Sequence, residues 1–170
     1  TRDTDGNFSC RHRSNSANAG KTDRAVQTVN GSISIGENAV AESAETVNGR
    51  IELGPNAHIG SLETVNGDIH IRTGAQVART VTSVNGDLSL APTSHVVGKL
   101  SNINGTIELD HATVDGLVET TSGDIAIGAA SVAHGALHLA KPGSTHFNLS
   151  HPQPRILHAP TAVGCALRVL

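Results

Sequence analysis

The sequence predicts an all-β chain wound as a single-stranded parallel β-helix, a β-solenoid of about six triangular coils, and three observations predict it. The same turn recurs six times: Val29-Asn30-Gly31, Val47-Asn48-Gly49, Val65-Asn66-Gly67, Val84-Asn85-Gly86, Ile103-Asn104-Gly105 and the degenerate Thr121-Ser122-Gly123. Its glycines fall 18, 18, 19, 19 and 18 residues apart, a period that belongs to stacked repeats. The only large apolar residues in quantity are aliphatic, because the 170-residue chain has 18 Gly, two Phe and no Trp, Tyr or Met. Such a composition suits short strands and tight corners and works against long helices.

Each coil divides into sides by the same offsets. Two and four positions after the turn glycine stand Ile33 and Ile35, Ile51 and Leu53, Ile69 and Ile71, Leu88 and Leu90, Ile107 and Leu109, and Ile125 and Ile127. That alternation is a strand with one buried face, and it sends Ser34, Glu52, His70, Ser89, Glu108 and Ala126 to solvent. Eight positions after the glycine comes a small-residue row, Ala39, Ala57, Ala75, Ser94, Thr113 and Ser131, followed by Ala41, Ile59, Val77 and Val96. A third side is marked by Ala44, Leu62, Val81, Leu100, Val118 and Leu137 and leads into the apolar residue before Asn-Gly. Three sides of about six residues account for a coil of 18 or 19. A coil buries its aliphatic rows only against its neighbours, so the stack, not the single coil, is the stable unit.

Asn-Gly suits the corner because Gly reaches φ > 0 without a Cβ clash and Asn tolerates left-handed backbone. Asn30, Asn48, Asn66, Asn85 and Asn104 are expected to stack as an amide ladder beside Gly31, Gly49, Gly67, Gly86 and Gly105. Turn chemistry explains this row without any function. The pattern favours a right-handed helix, since the extra residues before Gly86 and Gly105 suit a strict hexapeptide left-handed helix poorly and parallel crossovers are generally right-handed. Flanking the solenoid of residues 25–140, residues 1–24 are polar and aperiodic and read as a cap or a disordered arm. Residues 141–170 carry a Pro- and His-containing break and an apolar close, and read as a capping segment.

Charge and spacing narrow the chemistry. A formal net charge of −3 with scattered Lys and Arg argues against nucleic acid as a partner. No apolar run approaches the length of a membrane span. Cys10 and Cys165 lie near opposite ends, too far apart along a straight stack of coils for a bridge within the solenoid. Asp68 and Asp87, one position after the turn glycine on adjacent coils, are weak candidates for a cation site. The same row holds Ser32, Arg50 and Thr106, and a solvated charged row explains it as well. The ten His show no metal-ligand spacing: His134 and His138 are about 13 Å apart on a strand, and His58 and His95 sit two coils apart. No nucleophile elbow appears, so no catalytic residue and no cofactor are assigned. Thr28, Thr46, Thr64 and Ser83 form a hydroxyl row that would suit an ice-binding face if exposed.

The segments Thr28-Val29-Asn30-Gly31-Ser32-Ile33, Thr46-Val47-Asn48-Gly49-Arg50-Ile51 and Thr64-Val65-Asn66-Gly67-Asp68-Ile69 resemble the bacterial β-strand-repeat adhesin family. More distantly they resemble the bactofilins, polymer-forming cytoskeletal proteins. Pro154-Arg155-Ile156, Ala159-Pro160 and Gly164 also look like the end of such proteins, and the resemblance runs over residues 25–170. It implies a non-enzymatic scaffold, and for bactofilins end-to-end polymers formed without nucleotide. The expectation is therefore a structural or interaction protein of a bacterial envelope or cytoskeleton, with an exported location favoured over the cytoplasm and self-association or another protein as partner. The alternative is a cation-dependent binder or enzyme built on one face.

Overall fold

In a computed structural model the chain is all-β, with parallel strands stacked as a solenoid of about six coils. The structure describes residues 20, 22–128 and 130–139, together with the backbone of the short strands Phe8–Cys10, Asn15–Ala17, Thr145–Phe147, Arg155–Ile156 and Leu167–Val169. Coils are counted here from turn glycine to turn asparagine, so that coil 1 is residues 31–48, coil 2 is 49–66, coil 3 is 67–85, coil 4 is 86–104 and coil 5 is 105–122. Coil 6 begins at Gly123.

The first side of each coil is a three-residue strand: Ile33–Ile35, Ile51–Leu53, Ile69–Ile71, Leu88–Leu90, Ile107–Leu109 and Ile125–Ile127. These pair in register through the whole stack, Ile33 with Ile51 and so on to Ile107 with Ile125. They are the middle of a nine-stranded sheet that continues to Asn15–Ala17 at one end and to Thr145–Phe147 and Leu167–Val169 at the other. Apart from residues 20 and 22–24 and the five short strands, the segments 1–24 and 141–170, with the cap expected there and the Cys165 thiol, lie outside the described residues.

The second and third sides share one thirteen-stranded sheet. In coils 1 and 2 they are single nine-residue strands, Val40–Asn48 and His58–Asn66. In coil 3 the strand splits into Gln76–Val77 and Val81–Asn85, which pair with the two ends of His58–Asn66. Ile59 and Leu62 are three residues apart, but Val77 and Val81 are four, so the extra residue of the 19-residue coils sits at this third corner. Coil 5 keeps it and drops a residue elsewhere, between Leu109 and Val114. That deletion corrects the small-residue row: Ala112, not Thr113, is the buried residue, and Thr113 faces outward beside His95.

Six side chains per complete coil point inward, two from each side. In coil 2 they are Ile51, Leu53, Ala57, Ile59, Leu62 and Thr64, all buried. The sixth row, Thr28, Thr46, Thr64, Ser83, Asn102 and Thr120, is polar yet buried. The apolar residue that follows it is exposed instead: Val29 by 44%, Val47 by 40%, Val65 by 36% and Ile103 by 41%. The hydroxyl row, which an ice-binding face would need exposed, thus faces inward, and the apolar residue before Asn-Gly faces outward. Strand alternation from Ala44, Leu62, Val81 and Leu100 fixes the parity, and the second residue on must face in.

Two corners hold their shape by close approach. A Cβ at Gly49, Gly67, Gly86 or Gly105 would run into the carbonyl oxygen of the glycine one coil before, and Gly105 also has φ 133°. Gly98, Gly116 and Gly135 make a second such row at the third corner, each against the carbonyl one coil back.

Candidate functional site

The outer surface is built from the positions that alternation leaves facing solvent, and several rows of its polar groups bond from coil to coil. At the turn, Nδ2 of Asn48, Asn66 and Asn85 donates to Oδ1 of Asn30, Asn48 and Asn66 at 2.9 Å, and Asn104 donates to Asn85 at 2.8 Å. The expected amide ladder is therefore present as a continuous chain of side-chain hydrogen bonds. Inside the same corner, Thr46, Thr64, Ser83 and Asn102 donate to the carbonyls of Gly31, Gly49, Gly67 and Gly86 at 3.0–3.4 Å. The threonine and serine hydroxyls are spent indoors, so the hydroxyl row offers no surface to ice.

The aspartate row follows the same logic. Asp68 Oδ1 accepts the backbone N–H of Asp87 at 3.1 Å, and Asp87 Oδ1 accepts that of Thr106 at 2.7 Å. Arg50 lies 3.6 Å from the other Asp68 oxygen. Each carboxylate thus satisfies a turn N–H in the next coil that the sheet does not reach. Among the described residues no three His, Cys, Asp or Glu side chains group closely enough to hold a metal ion.

The first side carries a concave feature. Ser89 and Ala91 are short, and beside them Arg50, Glu52, His70, Ile71 and Arg72 wall a groove of about 320 Å³. Glu52, His70 and Ser89 are direct neighbours on successive strands. Arg72, and not His70, holds the carboxylate, with both Nε and Nη2 donating to Glu52 Oε1, the former at 2.8 Å. His70 Nε2 is buried without a partner. The order carboxylate, imidazole, hydroxyl is that of a hydrolytic relay, but among the described side chains no hydrogen bond joins the three, and the groove is a polar depression.

No family model, curated protein or solved structure matches this chain. The geometry must therefore be read on its own terms.

On the second and third sides, coils 4 to 6 are tied by two carboxylates. Asp115 Oδ2 is 2.7 Å from His95 Nε2, and Asp115 Oδ1 is 3.8 Å from His134 Nε2. Glu119 receives Lys99 Nζ at 2.5 Å and lies 3.2 Å from His138 Nδ1. The hydrogen bond from Lys99 holds the Glu119 carboxyl below its ordinary value, His138 adds to this, and partial burial opposes it. His134 and His138 serve different carboxylates, and His58 and His95 are separated by Gln76.

Sequence reasoning missed two features. One is the corner between the first and second sides, where Asn38, Asn56, Gly74, Thr93, His111 and Ala130 all have φ between 48° and 72°. Asn38, Asn56 and Gly74 signal it, and so do Pro55 and Pro92 just before the left-handed residue, but Thr93, His111 and Ala130 hide the row. The other is the exposed column Val29, Val47, Val65, half-buried Val84, and Ile103, whose signal was the parity of the third side. No helix of the described residues is long and apolar enough to cross a membrane.

Proposed function

We propose that this chain is a non-enzymatic structural or interaction protein that assembles with copies of itself through the ends or faces of its solenoid. The observation that carries this reading is how the outer polar groups are used. The Asn ladder, the Asp68 and Asp87 bonds, the Arg72 pair and the Asp115 and Glu119 ties all join one coil to the next. A surface committed to stiffening the stack suits a rod that bears or spaces other molecules better than a site that must bind and turn over a substrate. It also weakens the cation-binding alternative, whose Asp68 and Asp87 carboxylates are engaged with backbone N–H groups. A bacterial envelope or cytoskeletal setting, with export favoured, rests on the family resemblance alone. Sedimentation velocity and negative-stain microscopy of the full chain over a wide concentration range test the proposal. Assemblies that grow with concentration support it, and monomers at every concentration overturn it.

A further inference from the structure

Self-assembly through ends or faces leaves open which surface a second copy uses, and the third side differs from the rest of the exterior. Its outward positions form three columns. Val29, Val47, Val65, Val84 and Ile103 run down the middle, and four of them are among the exposed large apolar residues of the described chain. On one flank stand Gln27, Glu45, Glu63, Thr82 and Ser101, and on the other the Asn ladder. A single exposed valine is ordinary, but a column of five on one flat sheet is a continuous apolar strip.

The flanks are chemically complementary. Glu45 and Glu63 are direct neighbours on adjacent strands, and their like charges repel. Each ladder amide has two N–H donors, and Asn48, Asn66, Asn85 and Asn104 each give one to the preceding coil. Among the described residues the other has no acceptor, which leaves it for one beyond the ladder. We infer that the third side docks a second copy of this chain, the two solenoids lying side by side about a two-fold axis parallel to their length. That axis lays valine column on valine column and exchanges the flanks, so the carboxylates of one copy reach the unspent amide N–H groups of the other. The inference rests on the self-assembly reading and names its partner and face.

Area sets the strength. Five coils at about 4.8 Å give a strip roughly 24 Å long, and a five-residue strand is about 17 Å wide, or roughly 400 Å² of plane per copy. A standard stable interface covers about 800 Å² on each partner. One pair of chains therefore associates weakly, and copies joined end to end, presenting several strips at once, associate far more tightly.

The test uses the full chain as wild type and in four variants. With Cys10 and Cys165 changed to Ser, single Val47→Cys and Ile103→Cys variants are exposed to mild oxidant, with Ser34→Cys on the first side as control. Self-crosslinking at both 47 and 103 but not at 34 is expected, because only an axial two-fold brings each residue against its own copy. In parallel, Val47→Lys/Val65→Lys is compared with wild type by sedimentation, with far-UV circular dichroism confirming the fold. A loss of at least about tenfold in association constant is expected. If wild type associates while the lysine variant associates equally and neither cysteine crosslinks above the control, the face is wrong and end-to-end assembly stands. If wild type is monomeric throughout, both the face and the self-assembly reading fall.

Discussion

At the scale of single residues, one corner contains three kinds of dependence. Gly67 has no room for a side chain against Gly49, Thr64 satisfies a half-buried carbonyl, and Asn66 makes two exposed amide bonds. Substitutions there should rank accordingly. Gly67→Ala must move backbone and should cost more than about 3 kcal/mol. Thr64→Val keeps the shape but orphans the Gly49 oxygen, for about 1–2 kcal/mol. Asn66→Ala should cost less than about 1 kcal/mol, since water replaces both lost bonds. Urea unfolding of the three variants checks the order, and Asn66→Ala emerging as the most damaging would contradict it. Glu119 supplies a pH test. Its folded pKa is lowered, so its contribution is full above the unfolded carboxylate value of about 4.3 and is lost as pH falls through the folded value. Wild type should lose stability relative to Glu119→Gln only in that acid window, a difference visible in melting temperatures measured from pH 6 to pH 2.

At the scale of the element, strands were legible and corners were partly so. Ile33, Ile35 and their equivalents announce the first side because every second residue is aliphatic and buried. The third side was legible in its inward aliphatic row but not at its end, where a buried threonine precedes an exposed valine and hydrophobicity points the wrong way. What decides is strand alternation from Ala44 and Leu62, and the inward hydroxyl then meets the Gly31 and Gly49 carbonyls inside the corner, a role invisible before the corner is folded. The left-handed corner was hidden for a related reason. Stacking on neighbouring coils imposes φ 60° on Thr93, a β-branched residue that disfavours it. Thr93→Asn, matching Asn38 and Asn56 in the same row, should therefore raise stability by about 1 kcal/mol, read as an increase in unfolding midpoint. A lowered midpoint would mean that the threonine is held by something other than backbone demand.

At the scale of the molecule, the repeat makes length adjustable. Removing residues 49–66, one whole coil, joins Asn48 to Gly67 and restores an Asn-Gly turn with every inward row in register. That deletion should leave a cooperative unfolding transition with β-type circular dichroism. Removing only residues 49–57 joins a third side to a second side, loses the register and should abolish the transition. The architecture was legible because periodicity is a property of the whole chain. The candidate surfaces were not, because the groove beside His70 and the valine column exist only once successive coils place distant residues side by side.

The Asn ladder also has a consequence in time. An Asn-Gly pair in a loose chain ages chemically: the glycine nitrogen attacks the asparagine side-chain carbonyl, ammonia leaves, and the resulting succinimide opens to aspartate or isoaspartate. Here Gly31, Gly49, Gly67 and Gly86 give their N–H groups to the backbone carbonyls of Asn48, Asn66, Asn85 and Asn104, while the amides are clamped to one another. At these four turns nucleophile and electrophile are both restrained, so the folded solenoid stores four ageing sites in a dormant form. A chain held open converts them one by one into carboxylates that, on rewinding, would stack about 4.8 Å apart and repel one another. Unfolding is thereby recorded in covalent bonds, in proportion to the time that the turns spend open.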